Sequence, residues 1–287
     1  MRDKHLGYFF LAPATLTLVA VLVFPAVITV LYSITAERAP LLAQVTLENY
    51  VRAAQDEMVW NSFVNTMAFV IFSVSFHMLL GLWVALLLNE TLHGNLLFQT
   101  IMLLPWTIPD VVAGIIWKWM LHPINGIVND LLLKGSLIDA PIEWLSRPAL
   151  AFPSVIAANI WRGFPFVMVI LLAGLKSIPN EQYEAAAVDG ATTLQRFRYV
   201  TLPGLRKLIV IALALDTVWE FRRFGLVAAM TAGGPGYSTE ILSLTVFKQY
   251  FEFFRFEFAS AVAIIMSVLL LLFSIPYIVM MVREEAA

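Results

Sequence analysis

The chain has 287 residues, 60% of them hydrophobic and only 13% charged, against roughly half and a quarter in an ordinary soluble domain. Its 18 basic and 20 acidic residues leave a net charge of −2, which excludes a basic nucleic-acid binder and an acidic disordered tail. The absence of cysteine excludes disulfide scaffolds, thiol redox chemistry and cysteine-ligated metals.

With a mean hydropathy of +0.83, the chain is expected to be an integral membrane protein. A helix crossing a bilayer core needs about 20 apolar residues. Six windows qualify, at about 8–33, 60–89, 96–121, 148–175, 208–231 and 259–282. Strand-like alternation is absent over these lengths, which argues against a β-barrel. The expected fold is all-α, a polytopic membrane protein of six transmembrane helices forming one domain over 1–287.

Arg2, Lys4 and His5 precede the first window, as in a signal peptide. The apolar run is far longer than a signal core of about 7–15 residues, and no small-x-small site follows it. A retained first helix is expected. The second window is uncharged apart from His77. In the third, Pro105 and Pro109 predict a kink. Asp110 is expected to be buried there, either pairing helices or lining a pathway. Lys118 is placed to snorkel to the interface, and Trp60, Trp117 and Trp119 to anchor there. The fourth window carries Arg162-Gly163, with Asn159 one turn back and Phe166 one turn on.

An even number of crossings puts both termini on one side. With the N-terminus inside, inner segments carry eight Lys and Arg and outer loops six, which agrees weakly with the positive-inside rule. The segment 176–207 holds most of that excess.

That segment predicts two short helices. Pro179 suits a first helical turn, Glu181 and Glu184 lie near the positive helix end, and Ala185, Ala186 and Ala187 are strong helix formers. Gly190 can take φ > 0 and end the first helix. Thr192 can cap a second, expected to stop before Pro203.

The fifth window holds Asp216, Glu220, Arg222 and Arg223 within eight residues. Each costs about 2.5–3.5 kcal/mol at the centre of a lipid-facing helix, whereas a large apolar residue returns only about 0.3–0.6. These charges must therefore face protein or a water-filled cavity. Asp216, Glu220 and Arg223 fall at i, i+4 and i+7 on one helix face, and Arg222 points away. A carboxylate stripe facing an arginine and aromatic rings can bind a sugar. Equally, Glu220 and Arg223 can pair with each other or with Arg162 and hold helices in register.

The chain has no G-x-x-x-x-G-K-[ST] phosphate cradle. His5, His77, His93 and His122 are scattered, with no pair at metal-ligand spacing. No Ser/His/Asp or paired-carboxylate motif stands out. The expectation is a non-enzymatic subunit with no metal or cofactor of its own.

Glu184-Ala185-Ala186, three residues, Gly190, nine residues, then Val200-x-Leu202-Pro203 resembles the EAA loop of binding-protein-dependent ABC importer permeases. The family usually has Ile where Val200 stands. Asp189-Gly190-Ala191 is similar to the carbohydrate-importer branch, which includes maltose and glycerol-phosphate permeases. So are Leu104-Pro105-Trp106 through Trp117 to Pro123, Gly126 and Asn129, and the run Thr231–Thr239. The likeness extends over about residues 8–282.

The resemblance implies a type I ABC importer transmembrane domain in the bacterial inner membrane, with both termini and the coupling loop 176–207 cytoplasmic. It implies that Glu184, Ala185, Ala186, Asp189, Gly190, Leu202 and Pro203 couple to a separate ATPase. The partners it implies are a second permease chain, two ATPase copies binding ATP and Mg, and a periplasmic or lipid-anchored solute-binding protein. By position, Arg162, Gly163, Phe166, Asp216, Trp219, Glu220 and Arg223 fall near the sugar path of maltose-type permeases; only Gly163 is a residue match. The run Thr231–Thr239 would meet the binding protein or line the outer gate. The competing expectation is a proton- or ion-coupled secondary transporter using Asp216 and Glu220. A non-transporting scaffold would have no use for the charges of the fifth window.

Overall fold

The computed structural model describes residues 2–90 and 94–285, with side chains over 10–90 and 94–280. His93 and the side chains of Arg2, Lys4 and His5 lie outside the described residues. The chain is all-α as expected, with one isolated bridge, Thr35 to Val45, among the described residues. It divides into two compact units, Met1–Trp60 with Thr245–Val268, and Asn61–Leu244 with Leu269–Ala287.

In the first unit, α1 (Arg2–Leu18) and α2 (Phe24–Ser33) are joined by a π-helical turn, Val19–Val23. The most apolar part of Phe10–Ser33 has no buried residue, which suits a helix surrounded by lipid, and Ser33 at its end is buried. Its hydroxyls are satisfied within the helix: Thr15, Thr17 and Thr29 donate to the carbonyls of Leu11, Pro13 and Pro25. These three hydroxyls are thereby paired inside hydrocarbon. Beyond it, Asn49 of α3 (Glu48–Gln55) donates to the Ser33 and Thr35 carbonyls at 3.2 and 2.8 Å. Glu37 accepts from Arg52 and, at 3.0 Å, from Arg255.

The second unit carries most of α4 (Glu57–Asn89), then α5 (Asn95–Thr107), α6 (Asp110–Met120), α7 (Ile127–Lys134) and α8 (Pro148–Ser177). After them come α9 (Asn180–Val188), α10 (Thr193–Arg196), α11 (Leu202–Phe221) and α12 (Gly225–Thr231). Two large apolar clusters build most of its core. Phe69, Ala113, Val155, Ala158, Leu226 and Met230 form one; Ala85, Val167, Met168, Leu171, Leu205 and Ala212 form the other. Helix α8 contributes to both. Its residues 159–166, lying between its contributions to the two, are where the polar site forms.

Among the described residues, four helical stretches are each long and apolar enough to cross a membrane: Phe10–Ser33, Glu57–Asn89, Pro148–Ser177 and Phe256–Met280. The last belongs to α14 (Phe256–Glu285), which follows the short α13 (Leu242–Phe247) and a π-helical turn, Lys248–Glu252.

The other two expected windows are broken rather than continuous. Between α5 and α6 the axis bends by 97°, well beyond a proline kink. Pro109 sits extended at ψ 142° ahead of α6, and Arg162 Nε donates to the freed Ile108 carbonyl at 3.1 Å. In the fifth window, α11 ends at Phe221 and α12 starts at Gly225. Ser243 donates to the Arg223 carbonyl in that gap at 2.6 Å. Non-helical backbone is tolerated at membrane depth where protein or a cavity satisfies it.

Trp60 and Trp119 are exposed as anchors should be, and Lys118 is exposed as expected for snorkelling. Trp117 differs: it packs edge-on against Trp161, with ring centroids 5.7 Å apart, and joins the core.

Candidate functional site

The stripe on α11 is buried as its spacing predicts: Asp216, Glu220 and Arg223 face inward while Arg222 is exposed. Arg223 is bound to Glu220 through Nη2 and to Asp110 Oδ1 through Nη1 at 2.8 Å. Asp110 also takes Arg162 Nη2 at 2.7 Å. Arg162 therefore pairs with Asp110 rather than with Glu220. Asp110 is not buried as expected; its side chain keeps 30% of its exposure because it stands at the open break between α5 and α6.

Behind this network lies a second polar layer. His77 of α4 sits fully enclosed, with Nδ1 2.9 Å from Asp216 Oδ2 and Nε2 3.2 Å from the Asn159 carbonyl. The Asn159 side-chain amide donates to Ser73 Oγ at 2.9 Å and to Glu220 Oε2. The His77 ring reaches α8 only because position 163 is glycine: a Cβ there would stand 2.2 Å from Cε1.

A cavity of about 280 Å³ opens beside these residues, lined by Trp106, Asp110, Arg162, Gly163, Phe166, Asp216, Trp219 and Arg223. Six of the seven residues expected on a substrate path therefore share one wall. Glu220 is the exception, lying behind the lining, where it is bound to Arg223 and Asn159. Three rings make the apolar side: Trp106 stacks on Phe166 at 5.9 Å, and Phe166 meets Trp219 at 4.4 Å. Aromatic faces beside charged hydrogen-bonding groups can take the apolar face and the hydroxyls of a sugar ring together. The volume falls at the small end of ligand sites, which run to about 300–1,000 Å³.

His77, Asp216 and Glu220 also bring their ligand atoms within 4.8 Å of one another, a grouping that the scattered histidines of the sequence did not show. The carboxylate of Glu220 is already engaged by Arg223 and Asn159, and a guanidinium supplies there the charge that a metal ion would bring. Trp106, Asn159 and His77 were not singled out as site residues. The signal available was a histidine inside an apolar span, where an ionisable group needs a partner.

The segment 176–207 presents a separate surface. Helix α9 carries Glu184 and Ala185 exposed, with Ala186 half-buried and Asp189 at its C-terminal end. Gly190 has φ +78° and nothing within 4 Å of a Cβ position. Thr192 forms a capping box with Gln195: Gln195 N donates to Thr192 Oγ1, and Thr192 N to Gln195 Oε1. The second helix does not stop before Pro203. A π-helical turn, Phe197–Thr201, carries it straight into α11, so Leu202 and Pro203 open that helix, where a proline lacks no needed N–H. Tyr183 OH and Thr201 Oγ1, 3.0 Å apart, tie α9 to this turn. Beside them lies a groove of about 920 Å³ lined in part by Leu86, Tyr183, Glu184, Leu194 and Arg196.

The turn 231–239 is closed by Thr231 Oγ1 and Thr239 Oγ1, 2.7 Å apart, and tied to α4 where Asn61 donates to the Tyr237 carbonyl at 2.6 Å. Asn129 is a loop hub, donating to the Pro123 and Ile142 carbonyls and accepting from Trp144 Nε1.

An all-helical membrane protein with broken helices around a polar, aromatic-lined cavity has the architecture of a solute permease. Residues 77–283 match the family described as binding-protein-dependent transport system inner membrane component, and the chain belongs to that family. It is 35% identical over 279 residues to the trehalose/maltose transport system permease protein MalF of Thermococcus litoralis, covering 96% of this chain and 94% of that one. It is 33% identical over 269 residues to the sulfoquinovosyl glycerol transport system permease protein SmoG of Agrobacterium fabrum, covering 93% and 87%. The fold is that of a bacterial alginate ABC transporter solved in complex with an alginate pentasaccharide-bound periplasmic protein. The TM-score is 0.85 at 23% identity, covering 96% of this chain and 93% of that one.

Proposed function

We propose that this chain is the permease subunit of an ATP-driven importer for a sugar or sugar derivative, with the cavity beside α8 and α11 as the solute path. The observation that carries the reading is the convergence of Phe166, Trp219 and Trp106 with Arg162, Asp110 and Asp216 on one cavity. Relatives named for trehalose/maltose and sulfoquinovosyl glycerol transport support the same solute class.

The partners are a second permease chain, two ATPase subunits and an external solute-binding protein; a periplasmic protein bound to the alginate transporter supports the last. ATP and Mg belong to the ATPase, and this chain hydrolyses nothing itself. Both termini lie on the cytoplasmic side with the segment 176–207. There Glu184, Ala185 and Ala186 dock into the ATPase, Asp189 and Gly190 set the bend, and Leu202 and Pro203 pass the movement into α11. The continuous helix from α10 to α11 supports this coupling, because a shift passed from α9 across the Tyr183–Thr201 contact reaches Asp216 and Trp219 along one rod. ATP binding closes the ATPase pair, the bundle turns outward, and the docked binding protein releases solute into the cavity.

The reading is tested by uptake into lipid vesicles holding the full assembly. Phe166→Ala and Trp219→Ala should raise the solute KM several-fold at normal protein level. Unchanged uptake by both would remove the cavity from the solute path.

A further inference from the structure

His77 is the polar group that the solute path leaves unexplained. It has no exposure and no place in the cavity lining, yet both ring nitrogens face acceptors, the Asp216 carboxyl and the Asn159 backbone carbonyl. A carbonyl oxygen only accepts, so Nε2 must carry a hydrogen. The contact from Nδ1 to Asp216 then needs a hydrogen of its own, on the ring or on the carboxyl. A neutral imidazole has one N–H. The pair therefore holds one proton more than a neutral histidine beside an ionised aspartate, and its net charge is zero wherever that proton sits.

The linked charges agree. Glu220 and Asp110 balance Arg223 and Arg162, to which they are bound. Without the extra proton, the whole cluster would carry one unbalanced negative charge between membrane helices, where an unpaired charge is strongly penalised. The groups facing His77 are Asp216 and Glu220 from α11 and Asn159 from α8, and none is a cation. Acceptors outnumber donors there: Asn159 Oδ1 is itself buried with no partner. Gly163 completes the arrangement by leaving room for the ring.

We propose that His77 is the positioning residue for the cavity carboxylate Asp216, that the two hold one resident proton, and that the resulting site of zero net charge takes a neutral polyhydroxylated solute in preference to an anionic one. This rests on the cavity being the sugar path.

The test uses the full assembly in lipid vesicles with 15N-labelled histidine, the His77 signals being those lost in His77→Gln. At a pH of about 8, where an ordinary histidine is neutral, Nε2 should be protonated. Either Nδ1 should be protonated too, or the infrared spectrum should show a carboxylic-acid C=O stretch that Asp216→Asn removes. An unprotonated Nε2, or a neutral ring with no protonated carboxyl, overturns the proposal.

Solute binding is then compared for neutral mono- and disaccharides and their matching uronates, read by the indole fluorescence change that Trp219→Ala abolishes. Neutral sugars should bind at least about tenfold tighter, a difference of about 1.4 kcal/mol. Uronates binding as tightly or more tightly would overturn the neutral preference and leave the sugar path standing. Binding of neither class would overturn the sugar path itself.

Discussion

The imidazole of His77 fills the space that any side chain at position 163 would need, since a Cβ on Gly163 would lie 2.2 Å from Cε1 and 2.3 Å from Nε2. The glycine on α8 and the histidine on α4 are thus one device, and its output is the placement of Asp216 on the cavity wall. Gly163→Ala should push the ring off the Asn159 carbonyl and loosen its bond to Asp216. Overpacking of this kind costs about 1–3 kcal/mol, so we expect a lower Tm in detergent together with a raised solute KM. A normal Tm and KM would dissolve the link.

Arg223 is shared between Glu220 and Asp110. Arg223→Met removes the guanidinium bound to Glu220, which is fully buried, and removal of one partner from a buried pair costs about 3–5 kcal/mol. The double variant Glu220→Gln/Arg223→Met should recover part of that loss. Thermal unfolding of the purified single and double variants checks both statements. Equal destabilisation by the two would mean that the pair is not the unit.

Much of this arrangement was legible in the chain. The charges of the fifth window could not face lipid, and helical spacing alone put Asp216, Glu220 and Arg223 on one buried face. Gly190 and Thr192 announced the end of one loop helix and the start of the next. What stayed hidden depended on distance along the chain. His77 meets Asp216 across 139 residues, and Asp110 meets Arg223 across 113, so no local pattern pairs them. Pro203 signals a helix stop, but the π-helical turn before it lets the helix run on. The gap at Arg222–Phe224 carries no proline, and it exists because backbone there is satisfied by Ser243, from another part of the chain.

Variants in the segment 176–207 should separate folding from the coupling proposed for it. With φ +78° and open space around it, Gly190 is constrained by backbone conformation alone. Gly190→Ala should cost about 1–2 kcal/mol locally, and Gly190→Pro more, because φ would be forced negative. Glu184→Lys, on an exposed site, should leave the protein in the membrane at normal level while ATP hydrolysis no longer follows solute. Coupled uptake at the wild-type rate in Glu184→Lys and Gly190→Pro would refute the role given to this loop.

Glu37 gives the first unit a pH dependence. Burial pulls its carboxyl up, and the guanidiniums of Arg52 and Arg255 outweigh that and hold it below the ordinary value of 4.5. A lowered folded value means that its contribution to stability is complete above the unfolded value and is lost as pH falls through the folded one. Thermal stability should therefore decline below about pH 4.5, with a smaller acid-dependent part in Glu37→Gln. Identical pH profiles for the two proteins would contradict the pairing.

If ATP hydrolysis by partner subunits drives a sugar through the cavity of this chain, the ATPase activity of the purified assembly in lipid, with its second permease, ATPase and binding protein, should respond to sugar. Across a series of sugars, we expect stimulation by a binding protein loaded with one class of sugar, at a solute concentration that shifts upward in Phe166→Ala. Hydrolysis that never responds to any sugar, while vesicles of this chain alone accumulate solute on a proton gradient, would contradict it.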